Sequence, residues 1–323
     1  MIRYLWRGPV HENSWRRFLL YPDPACLTSL AQRVTREEGG TVGSLSEEFS
    51  AVVSSVRVGV THKLTGPERL GEVNRALSSR LKDFKEDSLE FADLGASDGI
   101  TTLKTVGLLR ELLQMPVRAW LIDLYVRLHR HQTGLVTEFR TPDGSPVIVS
   151  LGRLGLQLSS CATSRDPVSR LVGNWYLRRS AFRRAMLNRE TISLIHPRVS
   201  AEPGITVLEW SALQRNPILV GRVDLARASN ILNLSYFSPA QIETAVSHLH
   251  AYLREGGLLI VSRSLPTRGT EIEHGSIWRK QGERLVDRED FGRGSEVAEL
   301  VDRYAATVVL DREPSSGEPS RFD

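Results

Sequence analysis

The sequence predicts an α/β fold built on a mostly parallel sheet, and two observations support this prediction. Residues 90–94 form a short apolar run, which then turns through Gly95 and Gly99 into a helical stretch. A strand that feeds a glycine-bearing turn and then a helix is how an open α/β sheet brings bare backbone close to a ligand. Beyond this point, apolar runs typical of strands alternate with stretches of helical spacing. This alternation favours right-handed βαβ units.

The region before the first strand is predicted to be helical. Ser44 and Glu47 have the spacing of a capping box ahead of an apolar run. Pro67 stands in the first turn of a second predicted helix, a position where proline is favoured. We therefore expect residues 1–88 to form a helical N-terminal cap before an α/β domain at residues 89–310.

The elements of the α/β domain follow from the apolar periodicity of the chain. We expect parallel strands at 90–94, 118–124, 204–210, 222–228 and 256–262, and helices at 100–114 and 239–254. Residues 275–279 and 284–287, followed by 306–310, are expected to supply a terminal antiparallel pair. Residues 311–323, which are rich in Pro, Ser and Glu, are expected to be a disordered tail.

Residues 129–197 interrupt the alternation and are predicted to be an inserted subdomain. Apolar alternation on both sides of Asp143-Gly144 indicates a β-hairpin. After it, residues 167–188 are typical of a basic helix with aromatic side chains. The basic segment at residues 165–198 could contact an anionic membrane surface, bind nucleic-acid phosphates, or simply be the solvated face of a packed helix.

The composition argues against a disulfide-rich protein, a cysteine metal site and a membrane-spanning protein. The chain has 323 residues, of which 41% are hydrophobic, and a formal net charge of +4. Its two cysteines, Cys26 and Cys161, lie far apart, so we expect neither a disulfide framework nor a cysteine metal site. No apolar run approaches the roughly 18 to 20 residues that cross a bilayer. We therefore expect a cytoplasmic protein without a metal centre.

Asp93, Gly95, Ser97 and Gly99 form an Asp-x-Gly-x-x-x-Gly pattern. It resembles the first motif of class I S-adenosylmethionine (SAM) dependent methyltransferases, in which a glycine stands at the position of Ser97. The resemblance implies a Rossmann-like, seven-stranded, mostly parallel sheet that binds SAM through these four residues.

The same resemblance assigns roles to residues at the ends of the next three strands. Asp123 would accept the ribose hydroxyls, Glu209 and Trp210 would contact the adenine, and Asn230 would lie beside the site of methyl transfer. Each has a structural alternative: Asp123 as a solvated strand end, Trp210 as core packing, and Asn230 as a turn residue.

Residues 230–239 and 253–261 are similar to the corresponding stretch of the chemotaxis-receptor glutamate methyltransferases. The chain departs from them at Ser229, where they have arginine, and by two added residues before Tyr236. The resemblance therefore implies the cofactor fold and not the esterification of glutamate. The candidates for a general base at the carboxyl edge of the sheet are Tyr236, His129, His131 and His196.

The sequence thus predicts transfer of a methyl group from SAM to a small acceptor, which the apolar and basic insertion suggests is hydrophobic or anionic. Two alternatives remain open. A nucleic-acid methyltransferase is less favoured, because the stretch after residue 228 lacks the Asn/Asp-Pro-Pro-Tyr/Phe run of enzymes that methylate base amino groups. A catalytically silent SAM-fold protein that serves in binding or assembly is favoured by Ser97.

Overall fold

The structure is a computed structural model that describes residues 24–36, 43–58, 61–62, 71–81, 86–151, 154–157, 189–267 and 270–304. Within these ranges the helices are α1 (Cys26–Arg36), α2 (Gly43–Ser55), α3 (Gly71–Arg80), α4 (Ile100–Leu113), α5 (Pro197–Ser200), α6 (Pro239–Tyr252) and α7 (Ala298–Asp302). The strands are β1 (Arg57–Val58), β2 (Thr61–His62), β3 (Leu89–Leu94), β4 (Val117–Asp123), β5 (Arg127–Thr133), β6 (Val136–Arg140), β7 (Pro146–Leu151), β8 (Leu154–Gln157), β9 (Arg189–Ser193), β10 (Ile205–Glu209), β11 (Val223–Ser229), β12 (Leu253–Thr267), β13 (Thr270–Gln281) and β14 (Arg284–Phe291).

The main sheet has the strand order β10-β4-β3-β11-β12-β13-β14. The first five strands are parallel, and β13 runs antiparallel to both of its neighbours. This confirms the predicted Rossmann-like, mostly parallel seven-stranded sheet. The terminal antiparallel pair is the hairpin of β13 and β14, whereas residues 306–310, which we expected to contribute to it, lie outside the described residues.

Helices cover both faces of the main sheet. The side chains of α3 and α4 pack on one face in a cluster that includes Val73, Val106 and Phe91. On the other face α6 and α7 pack in a cluster that includes Val246 and Val301. All six residues of β3 are buried, as expected of a parallel strand with both faces covered.

The chain reverses its direction across the sheet between β3 and β11. From β3 it moves outward through β4 to β10, and it then returns to β11 on the other side of β3. In open α/β sheets, ligands bind outside the carboxyl ends of the strands at such a switch point. We refer to the region where β3 and β11 end, next to Gly95 and Asn230, as the switch-point crevice.

The insertion forms a second sheet between β4 and β10. Its five strands have the order β8-β7-β6-β5-β9, and all neighbours are antiparallel. The hairpin predicted around Asp143-Gly144 is the pair β6–β7. The insertion therefore contains more than a hairpin, and the basic helix predicted at 167–188 lies outside the described residues.

The N-terminal helices pack on different sheets. Helices α1 and α2 cover the inserted sheet, where Phe49 and Val53 pack with Leu128, Phe139 and Ile192. Helix α3 packs on the main sheet. The inserted sheet is thus covered by residues that precede the α/β domain in sequence. Within the described part of the chain, no helix combines the length and the apolar character needed to span a bilayer.

Candidate cofactor site

The loop between β3 and α4 is held in an unusual backbone conformation. Gly95, Ser97 and Gly99 have positive φ angles of 70°, 60° and 84°. The left-handed conformation costs an L-residue roughly 1–2 kcal/mol, so Ser97 is strained where the motif has glycine. The N–H of Gly95 donates to the carbonyl of Ile122 at 2.8 Å, which ties the loop to the end of β4.

Asp123 joins this loop to the neighbouring strand. Its carboxylate accepts the backbone N–H of Ser97 at 2.8 Å and that of Tyr125 at 3.2 Å. The residue ends β4 and is partly exposed. Its position beside the glycine-bearing loop is the one that the resemblance requires, and its contact with a ribose stays a prediction.

Glu209 pairs with Asp123 across β10 and β4. Its carboxylate accepts the N–H of Val126 at 3.1 Å and forms an ion pair with Arg127 at 3.0 Å. The end of β10 is thus connected to the segment that enters the inserted sheet.

Tyr125 lies in the same segment. Burial and the negative charges of Asp143 and Glu209 raise the pKa of the Tyr125 phenol, which is therefore neutral at physiological pH.

Trp210 packs against the hydrophobic core of the main sheet. It packs against the cluster on the α6 face, and its indole N–H donates to the carbonyl of Gln214 at 2.8 Å. Its backbone N–H donates to the carbonyl of Asp123 at 2.9 Å. These contacts are those of the structural alternative, and an adenine contact by Trp210 stays a prediction.

Asp93 belongs to a buried network of hydrogen bonds. Its carboxylate is buried and accepts two bonds from Arg227, at 2.9 Å and 2.5 Å, and one from Thr102 at 2.5 Å. Arg227 is 0% exposed and also donates to Thr105 at 2.6 Å. Both oxygens are therefore bonded inside the fold, next to the start of the loop, and a direct contact of Asp93 with the cofactor stays a prediction.

Asn230 and the backbone of Gly95 also have protein partners. Asn230 has a left-handed φ of 63°, and its Oδ1 accepts the N–H of Ser264 at 2.7 Å. The side chain of Ile231 lies over Gly95, where an added Cβ would meet Ile231 Cβ at 2.9 Å. The bare backbone of Gly95 therefore faces Ile231, and Asn230 fixes the turn that places Ile231 there.

His196 is buried, and both of its ring nitrogens have protein partners. It is 0% exposed, its Nδ1 accepts the N–H of Arg198 at 3.3 Å, and its Nε2 lies 2.9 Å from Ser46 Oγ. Because Nδ1 accepts, the neutral ring carries its proton on Nε2 and donates to Ser46. Burial, and to a lesser degree the charge of Arg198, lowers the pKa of His196 to about 4.

The other candidates for a base are dispersed. His129 and His131 lie on β5 of the inserted sheet, where His129 Nδ1 is 3.3 Å from Thr191 Oγ1 and His131 is buried. Tyr236 is partly exposed in the turn after β11, and its backbone N–H donates to Asn233. Apart from the buried His196, Tyr236 is the candidate that lies in a turn at the carboxyl end of a main-sheet strand.

Helix α2 is attached to the loop by one direct side-chain bond and by a second that passes through His196. Ser50 Oγ donates to Asp98 at 2.5 Å, and Ser46 contacts His196, whose backbone N–H donates to the carbonyl of Asp98 at 2.9 Å. Phe49 contacts the His196 ring edge-on, with 5.2 Å between the ring centroids. A helix of the N-terminal region is therefore fixed directly on the candidate site.

Sequence reasoning missed Arg227, Asp98 and Ser50. Arg227 carried a usable signal, because it stands within an apolar run predicted to be a strand. A charged side chain at a buried strand position requires a partner. Asp98 and Ser50 carried no such signal, because polar residues are common both in turns and on helices.

The buried histidine predicts a pH dependence of stability. The folded state keeps His196 neutral down to about pH 4, whereas the unfolded chain binds a proton below about pH 6.5. Its contribution is therefore complete above pH 6.5 and is lost as the pH falls toward 4. For this residue alone we expect a loss of about 2 kcal/mol between pH 7 and pH 5.

The measurement is urea denaturation of the wild type and of His196→Asn at pH 7 and pH 5. Asparagine does not titrate in this range, and it can still accept the N–H of Arg198 at the start of α5. The variant should therefore lose less stability on acidification. An equal loss in both proteins would show that His196 does not titrate as described.

The described residues contain no group of three or more His, Cys, Asp or Glu side chains that could hold a metal ion.

Comparisons with known proteins give distant likenesses of fold. No protein-family model matches the chain, and no curated protein sequence matches it. The chain is similar to the structure of the CMeT domain of the citrinin polyketide synthase (15% identity, TM-score 0.32, 62% of this chain and 36% of that chain). It is also similar to the methyltransferase CalH in complex with SAH (14%, 0.31, 73% and 43%) and to the [4+2]-cyclase SpnF (11%, 0.29, 62% and 48%).

The chain thus spans less than half the length of each of these three structures. At such identities and TM-scores, the likenesses carry no conclusion about activity.

Proposed function

We propose that the chain is a SAM-dependent methyltransferase that binds its cofactor at the carboxyl ends of β3, β4 and β11. The observation that supports this most strongly is the hydrogen bond between Ser97 and Asp123. It joins a left-handed, glycine-bearing loop to an acidic residue on the next strand, beside the switch point of the sheet. This combination suits a nucleoside, because its sugar hydroxyls can donate to a carboxylate while its remainder lies against backbone.

The residues at this site fit such a cofactor. Ser97 Oγ is buried and has no hydrogen-bond partner, although most buried hydroxyl groups in proteins are bonded. A polar ligand at the loop would supply that partner. The ribose hydroxyls would be further donors to Asp123, and Tyr125 and Glu209 lie beside it on the adenine side.

The cofactor supplies a methyl group that its sulfonium already activates, so the protein must chiefly hold and align the two reactants. Alignment of this kind is worth about 7–11 kcal/mol in favourable cases. The buried pair of Asp93 and Arg227 fixes the end of β3, where the loop begins. Helix α2 is bonded to the loop through Ser50 and Asp98. Tyr236, at the carboxyl edge, is the proposed residue to accept a proton where the acceptor must lose one.

The proposed acceptor is a small molecule bound beside the switch-point crevice. Its hydrophobic or anionic character, and contact of the chain with an anionic membrane surface, were suggested by the basic segment. Most of that segment, residues 165–188, lies outside the described residues. A nucleic-acid acceptor has no described contact in its favour.

A catalytically silent SAM-fold protein is the second candidate. Two observations favour it: Ser97 is strained where the motif has glycine, and Ile231 covers the backbone of Gly95. Binding of SAM without any methyl transfer would support this candidate. Binding of neither SAM nor S-adenosylhomocysteine would contradict both.

The cofactor site predicts that Asp123→Ala weakens binding of S-adenosylhomocysteine. Each hydrogen bond to a charged group is worth about 1.5–3 kcal/mol, so loss of the ribose acceptor should reduce affinity by roughly tenfold to a hundredfold. Calorimetric titration of the wild type and the variant measures this difference. Asp123→Asn, which keeps one acceptor oxygen for the Ser97 N–H, should have an intermediate effect.

The matched control is Glu299→Gln, which neutralises an exposed acid on α7. It should bind S-adenosylhomocysteine as the wild type does. Thermal unfolding of each variant separates loss of the site from loss of the fold. Unchanged affinity in a folded Asp123→Ala protein would place the cofactor elsewhere.

A further inference from the structure

A two-stranded ribbon extends from the carboxyl edge of the main sheet. Strand β11 ends at Ser229, which pairs with Ser262, and β14 ends at Phe291, which pairs with Gly275. Strands β12 and β13 continue to pair with each other beyond these points. In this extension, Ser264 and Glu273 are directly paired and therefore share a face.

Glu273 is a buried carboxylate with one oxygen bonded and one without a partner. The residue is 7% exposed. Its Oε2 accepts the N–H of Glu72 at 2.8 Å and that of Val73 at 3.2 Å, at the start of α3. This is a favourable place for a negative charge. Its Oε1 is buried and has no hydrogen-bond partner.

Ser264 presents a second polar atom of the same kind. Its Oγ is buried and lacks a hydrogen-bond partner, although the residue as a whole is partly exposed. Paired residues of an antiparallel ribbon have Cβ atoms about 4.5–5.5 Å apart. A single ligand group can therefore contact Ser264 Oγ and Glu273 Oε1 together, just below the surface.

Buried polar oxygens without hydrogen-bond partners destabilise the folded state and are rare in proteins. An ammonium group matches them best, because it supplies three N–H donors and a positive charge to a carboxylate. The described side chains supply no such cation: the neighbouring Arg263 forms its ion pair with Glu296 at 2.7 Å.

The pair is linked directly to the switch-point crevice. The N–H of Ser264 donates to Asn230 Oδ1 at 2.7 Å, and Asn230 follows the end of β11. Next to them, Ser229 Oγ at the end of β11 and Ser262 Oγ on β12 lie 2.7 Å apart. A molecule bound by Glu273 and Ser264 would therefore lie next to the place where the methyl group is proposed to be transferred.

We propose that Glu273 and Ser264 form an anchoring site for an amine group of the methyl acceptor. This inference rests on the proposed function and names the substrate class of the same site. The amine, protonated when bound, donates to Glu273 Oε1 and Ser264 Oγ and holds the rest of the acceptor toward Asn230. Glu273 keeps its other oxygen on the start of α3, so the anchor is fixed before the ligand arrives.

The test uses benzylamine and its neutral counterpart benzyl alcohol as probes, each titrated into the full chain by calorimetry. The wild type should bind benzylamine at least about tenfold more tightly than the alcohol, as expected for a charge-assisted bond. Glu273→Gln should abolish this preference. Glutamine retains a carbonyl oxygen for α3 and places an amide N–H₂ group where the ammonium would bind.

Two further variants separate an anchoring role from a structural one. Ser264→Ala should weaken benzylamine binding and raise the midpoint of thermal unfolding, because it removes a buried hydroxyl without a partner; a purely structural serine would lower that midpoint. Glu283→Gln, which changes an exposed acid in the turn before β14, should leave both properties unchanged.

A titration with S-adenosylhomocysteine keeps the two proposals apart. Glu273→Gln should bind it as the wild type does. If the wild type binds benzylamine no better than benzyl alcohol, the anchoring site is refuted. If the amine preference depends on Glu273 but S-adenosylhomocysteine does not bind, the amine site stands and the methyltransferase proposal is refuted.

Discussion

Arg227→Met is expected to lower the free energy of unfolding by about 3–5 kcal/mol, since it leaves the buried carboxylate of Asp93 without its cation. The guanidinium donates two bonds to Asp93 and one to Thr105, and its carbon lies 5.1 Å from the centre of the Phe91 ring. Methionine fills much of the same volume but offers no donor. Urea denaturation at pH 7 measures the loss.

The double variant Arg227→Met/Asp93→Asn should recover a large part of this stability, because it removes the uncompensated charge along with its partner. Arg75→Met is the matched control. Arg75 forms an ion pair with Glu72 on the surface of α3, with 73% and 47% of the two side chains exposed. Such a pair is worth about 0–1 kcal/mol. A loss of that size in Arg227→Met would show that the buried pair contributes little.

The same variant connects stability with the cofactor site. Asp93 lies on β3 just before the loop, and Thr102, on the first turn of α4, donates to the same carboxylate. The network therefore fixes both ends of the segment that contains Gly95, Ser97 and Gly99. Weakening it should loosen the loop, so Arg227→Met should also bind S-adenosylhomocysteine more weakly than the wild type.

The sequence was sufficient to predict the main sheet, because its strands are locally encoded. Strands β3, β4 and β11 are apolar runs bounded by turns, and the glycines at 95 and 99 are needed where the backbone is left-handed. The position of Asp123 at the end of β4 was predicted from the apolar run before it, and its role toward a cofactor came from the family resemblance and stays a prediction. These features depend on residues that are close together in the chain.

The inserted sheet could not be predicted to the same extent, because its strands depend on distant partners. Strand β5 reads Arg-Leu-His-Arg-His-Gln-Thr, in which a single residue is strongly apolar. It becomes a strand because it pairs with β6 on one side and with β9, some sixty residues later, on the other. The apolar face of α2 likewise gave no sign that it would pack on this sheet.

The role of Asp93 shows the same limit within the candidate site. Its position in the motif suggested a cofactor contact, but its partner Arg227 is 134 residues away in the chain. A single sequence does not show which buried acid will meet which buried base. The one local sign of such a partner was the presence of an arginine, Arg227, within an apolar run predicted to be a buried strand.

Gly99→Ala is expected to destabilise the fold by about 2–5 kcal/mol and to disrupt the cofactor loop. At a φ of 84°, a Cβ atom costs roughly 1–2 kcal/mol in backbone strain alone. That atom would also lie 2.2 Å from Leu121 Cδ1 and 3.0 Å from Val199 Cγ1. Overpacking of this kind costs about 1–3 kcal/mol more, and relief of the clash would shift the start of α4 away from Asp123.

Gly107→Ala is the matched control for this prediction. Gly107 lies inside α4, and a Cβ there would meet no atom within 4 Å. Alanine in a helix interior is favoured over glycine by roughly 0.5–1 kcal/mol, so this variant should be slightly more stable than the wild type. Urea denaturation and titration with S-adenosylhomocysteine of both variants decide the matter. If Gly99→Ala proved as stable as Gly107→Ala, the left-handed turn would not be the device that holds the loop against β4.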